Sequence, residues 1–136
     1  MKVMAIDLGD HRTGAAFSDL TGFIAGRAVT VSEWNRDALL EKLLALIEEE
    51  KPGKIVMGLP VNMNGTEGPR AGTCREFAAR LSEACGMQVE LWDERATSVS
   101  AGRILRESGT KGKKARAKVD AIAASIILQS WLDAHR

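Results

Sequence analysis

A chain of 136 residues has the length of one domain, and its 45% apolar and 27% charged residues exclude disorder, collagen-like repeats and low-complexity behaviour. Nineteen Lys and Arg against 18 Asp and Glu leave a net charge of only +1, so overall charge does not mark a nucleic-acid binder. The distribution is uneven: Arg103 to Lys118 holds seven basic residues and one acidic, a local +6 on a remainder of −5. Every apolar run is far shorter than the roughly 20 residues of a membrane span, and we expect a cytoplasmic protein with no signal peptide or anchor.

In chain order, Lys2 to Asp7 reads as a strand that ends in the turn Leu8-Gly9-Asp10. Thr13 to Ser18 and Phe23 to Val31 read as two more strands about the turn Asp19 to Gly22, so the first three form an antiparallel meander. Asn35 to Glu50 is predicted as a helix from Leu39, Leu40, Leu43, Leu44 and Ile47, stopped by Pro52-Gly53. Lys54 to Leu59 is a fourth strand and Pro60 to Pro69 a loop. Arg70 to Cys85 is a helix with Gly86 at its C′ position. On that helix Cys74 and Cys85 lie roughly 16 Å apart, too far to bridge, and should be reduced thiols. Gln88 to Trp92 is the fifth strand, Thr97 to Glu107 a helix, Ser108 to Lys114 a basic loop, and Ala117 to Ala134 the last helix. Strands that alternate with helices pair in parallel, so the prediction is an α/β domain with a mixed five-stranded sheet flanked by helices.

Three acidic features fall at element ends. Asp7 closes a strand face that otherwise holds Val3 and Ala5; Asp93-Glu94-Arg95 follows the last strand; Asp120 lies early in the last helix among apolar residues, with the small Ala123 and Ala124 one turn on. Each has an ordinary explanation: a solvated strand end, a local ion pair, an acid near a positive helix terminus worth about 0.3 to 1 kcal/mol. Together they can converge, because the first and last strands are expected to lie centrally in such a sheet. A cluster of carboxylate oxygens suits Mg²⁺ or Mn²⁺ and does not suit zinc. The only histidines, His11 and His135, sit in a turn and at the C-terminus, which leaves no His-based metal site and no Ser-His-Asp triad. They read as ordinary surface residues, and Trp34, Trp92 and Trp131 as packing or interface residues.

The segments MAIDLGDHRTGAAFSD, IVMGLPVNMNGTEGPRA, VELWDERATSVSAGRIL and KVDAIAASIILQ resemble, in order and spacing, the bacterial YqgF family, also called RuvX, of pre-16S rRNA nucleases. The resemblance spans nearly the whole chain and implies a single ribonuclease H-like nuclease domain over residues 1–136. It places the family's acidic positions on Asp7, on Asp93 or Glu94, and on Asp120, as catalytic and metal-binding residues. Two divalent cations would clamp the scissile phosphate, with Asp7 bridging them. Arg12, Asn62, Arg70, Arg95 and Thr97, with Lys111, Lys113, Lys114, Arg116 and Lys118, would contact nucleic acid. Asn64, Thr66 and Ser98 are further candidates for such contacts. The first turn departs from the family: GDHRTG stands where relatives more often have Gly-Thr-Lys-Arg, so His11 replaces a Lys and its phosphate contact. Ala96 likewise stands where a bulkier residue is common.

The implied activity is metal-dependent phosphodiester cleavage in structured nucleic acid, foremost 5′-end processing of pre-16S rRNA, in pre-ribosomal particles or free. Two alternatives are a Holliday junction resolvase on branched DNA, which would need a homodimer where an rRNA nuclease can be a monomer, and a weakly catalytic assembly factor that only binds. An actin-like ATPase shares the Asp-x-Gly opening, but 136 residues cannot supply its second lobe.

Overall fold

A computed structural model of the chain describes residues 1–96 and 113–135. Five strands, β1 (Val3–Asp7), β2 (Arg12–Ser18), β3 (Ala25–Ser32), β4 (Lys54–Leu59) and β5 (Val89–Asp93), form one sheet in the order β3-β2-β1-β4-β5. The meander β1-β2-β3 is antiparallel, whereas β4 pairs parallel with β1 and β5 parallel with β4. This is the expected mixed sheet. One detail differs: β1 is central, but β5 is an edge strand.

Helix α1 (Arg36–Glu50) begins where the Asn35 side chain accepts hydrogen bonds from the backbone N–H of Asp37 and Ala38, at 2.9 and 3.0 Å. It ends at Lys51, whose φ of 48° turns the chain left-handed just before Pro52. Helix α2 (Pro69–Cys85) starts with proline in its first turn, one residue ahead of the expected Arg70, and closes on Gly86 at φ 74°. Helix α3 (Lys113–Ala134) begins four residues before the expected Ala117. The expected helix from Thr97 to Glu107 lies outside the described residues.

Strand alternation sorts the core into two layers. Met4, Ile6, Phe17, Ile55 and Met57 face α1 and α2, where Leu39, Leu43, Phe77 and Leu81 complete a buried cluster. Val3, Ala5, Ala16 and Val56 face the other way, onto Ala124, Ile127, Leu128, Trp131 and Leu132 of α3. The stripe of α3 that meets the sheet contains Asp120, Ala123, Ala124, Ile127 and Leu128, all buried, while Ile122 and Ile126 are only partly so. Cys74 and Cys85 share α2 as free thiols. No described helix is long and apolar enough to cross a membrane.

Candidate active site

Asp7 continues the face of β1 that carries Val3 and Ala5, so its carboxylate points to the α3 side of the sheet. Its antiparallel partner on β2 is Gly14. On the other flank, Ile6 pairs with Met57, so Gly58 of β4 stands next to Asp7 one residue further on. The central acid thus lies between two residues without side chains.

Both glycines are required by what covers them. A Cβ on Gly14 would stand 2.2 Å from the Asp120 carbonyl oxygen and 3.1 Å from the Ala124 Cβ, so α3 lies directly on this part of β2. A Cβ on Gly58 would meet Ile127 Cδ1 at 2.6 Å and Glu94 Oε1 at 2.8 Å. Glu94 therefore lays its side chain over Gly58, on the face shared with Asp7. Asp120, with only 8% of its surface exposed, comes down on the opposite flank, where Arg12 approaches its Oδ2 at 3.4 Å. The Glu94 carboxylate thus lies over Gly58 and the backbone of Asp120 over Gly14, the two residues that flank Asp7.

The same register separates Asp93 from Glu94. Asp93 pairs with Leu59, a residue of the α1/α2 layer, and so faces away from Asp7. Its carboxylate takes the Arg95 guanidinium at 2.8 and 3.0 Å, and this hydrogen-bonded ion pair holds its pKa below the ordinary carboxylate value. Of the two candidates, Glu94 is the one brought beside Asp7. A strand-end carboxylate at the sheet edge reaches the centre because it follows the strand by one residue and folds back over a glycine.

Two arginines brace the loop that leaves Asp7. Arg70 donates to the Leu8 carbonyl at 3.2 Å and Arg36 to the Gly9 carbonyl at 2.9 Å, and the buried Thr13 hydroxyl accepts from the Gly9 N–H at 3.3 Å. Arg36 was not among the sequence candidates; nothing in a helix's first residue marked it. Arg95 also lies 3.5 Å from the Asn62 and Met63 carbonyls, so it links β5 to the loop after β4. In that loop the Asn62 side-chain amide donates to the Thr66 hydroxyl at 3.0 Å, and Asn64 accepts from Thr66. Turn chemistry accounts for these three residues. Lys113, Lys114, Arg116 and Lys118 are on α3, upstream of Asp120, whereas Thr97, Ser98 and Lys111 lie outside the described residues.

The donor set is oxygen-only on the sheet's α3 side, which suits a hard cation. Among the described residues no group of three or more His, Cys, Asp or Glu side chains is placed so that it could hold a metal ion by itself. Such a centre matches a cation that keeps waters and takes phosphate oxygens as ligands while few protein groups hold it. Buried Cys74 lies close enough beneath for Glu94 and Asp7 to act on it: burial, then these two negative charges, push its thiol up to about 11, against an opposing effect of Arg70.

The family model described as "RuvX: Holliday junction resolvase" matches residues 1–134. The chain belongs to the RuvX family. A protein of Myxococcus xanthus named "Putative pre-16S rRNA nuclease" is 43% identical over 136 residues, covering 100% of this chain and 90% of that protein. One of the same name from Syntrophomonas wolfei is 44% identical over 133 residues, 98% of this chain and 94% of the relative. Among solved structures, RuvC of T. thermophilus in complex with a Holliday junction substrate superimposes with a TM-score of 0.62 at 12% identity, covering 99% and 96% of the two chains. The fowlpox virus resolvase bound to Holliday junction DNA gives 0.56 at 14% identity, over 99% of both. This RuvX chain therefore shares the fold of those resolvases, and the ribonuclease H-like expectation is met.

Proposed function

We propose that this RuvX protein is a metal-dependent endonuclease that hydrolyses phosphodiester bonds in structured RNA, with the 5′ end of pre-16S rRNA as its substrate in the cytoplasm. What supports the reading is that the Glu94 side chain lies over Gly58 and the backbone of Asp120 over Gly14, the two residues that flank Asp7 on the α3 face of the sheet. The substrate comes from the full-length relatives at 43 and 44% identity, whose name specifies pre-16S rRNA.

Asp7, Glu94 and Asp120 would hold the cations, with Asp7 between the other two; Asp93 is assigned to Arg95 instead. Two bound divalent cations supply activation of a water and stabilisation of the leaving oxygen. The chain's own contribution is placement. Gly14 and Gly58 admit the flanking acids, Arg70 and Arg36 fix the loop that follows Asp7, and Arg12 balances the charge of Asp120 until phosphate arrives. Lys111, Lys113, Lys114, Arg116 and Lys118, upstream of Asp120, draw the backbone of the substrate toward the acids.

The test offers labelled pre-16S 5′-end RNA and four-way DNA side by side, with Mg²⁺, Mn²⁺ or EDTA. Cleavage of the RNA with metal, none in EDTA, and loss in Asp7→Asn, Glu94→Gln and Asp120→Asn but not in Asp93→Asn is the expected pattern. Cleavage of the four-way DNA alone would favour the second reading, a junction resolvase, which the family model's description supports. Binding without cleavage of either would reduce the protein to an assembly factor.

A further inference from the structure

Two aromatic residues, Phe23 and Trp34, have no place in either core, and Trp34 is the more exposed. Trp34, between β3 and α1, is 72% exposed, and the His11 ring lies flat against it, centroids 4.1 Å apart and planes 10° from parallel. The pair is held from both sides. The Glu33 N–H donates to the His11 carbonyl at 2.8 Å, the Glu33 carboxylate takes Lys42 at 2.8 Å, and Asn35 caps α1 immediately after Trp34. A large exposed indole costs solvation, and pre-stacking on a second planar ring fixes the direction in which its face is presented.

Its position is informative. His11 adjoins Arg12, which pairs with Asp120, and Trp34 follows Ser32, the residue opposite Arg12 on β3. From the spacing of strands and residues Trp34 lies roughly 15–20 Å from Asp7, at the same end of the sheet. We infer that Trp34, backed by His11, is a stacking platform for an unpaired base of the RNA, a few nucleotides from the bond to be cut. The inference rests on the nuclease reading and adds to it that the substrate carries single-stranded nucleotides beside the cleavage site. A base is the occupant that fits: it is planar, and it is uncharged where Asp10, Glu33 and Asp37 stand nearby, Glu33 paired to Lys42 and Asp37 to Arg80. The phosphates on either side are left to Arg12 and the exposed Arg70.

The experiment measures binding without cleavage. Wild type, Trp34→Ala and Trp34→Phe are titrated in EDTA with an RNA duplex bearing a single-stranded 5′ extension and with the same duplex blunt-ended. Base stacking on one aromatic ring is worth about 5- to 150-fold in affinity. Trp34→Ala is expected to lose that much on the extended RNA and less than twofold on the blunt duplex, while Trp34→Phe stays within about threefold of wild type on both. Wild-type tryptophan fluorescence is expected to be quenched by the extended RNA, and the quenching is expected to be absent in Trp34→Phe. Equal losses on the two RNAs, no loss on either, or no wild-type binding to the extended RNA would overturn the platform. Failure of the nuclease reading shows separately, as absence of cleavage by wild type when Mg²⁺ or Mn²⁺ is restored.

Discussion

Gly14 and Gly58 both resist a methyl group, but what they touch differs, and alanine at each should separate fold from chemistry. At Gly58 the added Cβ meets the ends of two side chains, Ile127 Cδ1 at 2.6 Å and the Glu94 carboxylate at 2.8 Å. Both can swing aside with the backbone in place. Overpacking of that kind costs about 1–2 kcal/mol, and alanine recovers about 0.5–1 kcal/mol of the backbone entropy that glycine loses in a strand. The net is about 1 kcal/mol or less, a fall of a few degrees in Tm. Glu94 is nevertheless displaced by a large fraction of an ångström, and a misplacement of about 1 Å in a catalytic group costs about 100-fold.

At Gly14 the added Cβ meets backbone, the Asp120 carbonyl oxygen at 2.2 Å and carbon at 2.9 Å. Only a shift of α3 of roughly 1 Å restores ordinary contact. That shift loosens a whole core layer, at about 3 kcal/mol or more, or about 10 °C in Tm. Thermal melts followed by circular dichroism, with initial rates on labelled pre-16S RNA in Mg²⁺, read both quantities. Gly58→Ala is expected to melt near wild type and cleave about 30- to 100-fold more slowly. A folded Gly58→Ala protein that cleaves within threefold of wild type would refute the placement of Glu94 in the centre, and a Gly14→Ala protein that melts with wild type would refute the close approach of α3.

Three further outcomes are expected. With its pKa near 11, Cys74 is only roughly 0.1% thiolate at pH 8, so mass spectrometry after iodoacetamide should find Cys85 alkylated many times faster; equal rates would mean that α2 does not bury Cys74. Because Arg95 lowers the Asp93 pKa in the fold, the pair's contribution is full above the ordinary 3.8 and is lost as pH falls through the lowered value. Both partners are more than a third exposed, so wild type should exceed Asp93→Asn by less than about 1 kcal/mol at pH 6, with the difference closing toward about pH 2; a gap that widens in acid would contradict the pairing. Asn35→Ala should cost about 1 kcal/mol, or about 3–5 °C in Tm, through the loss of two capping bonds at α1, and an unchanged melt would show that water replaces them.

The sheet was legible because its signals are local. Each strand is a short apolar run between turn residues, and β4 falls on Lys54–Leu59 as expected. Strand ends moved where pairing overrides composition: β3 begins at Ala25 rather than Phe23, since Phe23 and Ile24 donate their N–H groups to the Asp19 carboxylate in the hairpin turn. Of the acids, Asp7 and Asp120 declared themselves by standing on otherwise apolar faces. The choice between Asp93 and Glu94 could not be made from sequence, because it depends on where β5 stops pairing, and that is set by Leu59 on a neighbouring strand. Trp34 reads from sequence as a packing or interface residue, and the path of the chain past Ser32 leaves it outside both cores.

The glycines carried a signal that the acids did not. A glycine inside a strand weakens it and marks a place where something must come close, and both Gly14 in RTGAAFS and Gly58 in KIVMGL are such glycines. Because they flank Asp7 on neighbouring strands, the close approach happens twice at the same level of the sheet, once for a helix and once for a folded-back glutamate. That explains how an edge strand serves a central site. β5 does not need to lie beside β1; it needs only a bare residue on β4 for Glu94 to cross. Glu94 crosses with no β4 side chain in its way, and Ile127 Cδ1 is the other group that lies over Gly58. Filling Gly58 displaces Glu94 while α3 stays in place, which is why we expect Gly58→Ala, beside removal of single charges, to distinguish a site that needs Glu94 from acids that happen to be neighbours.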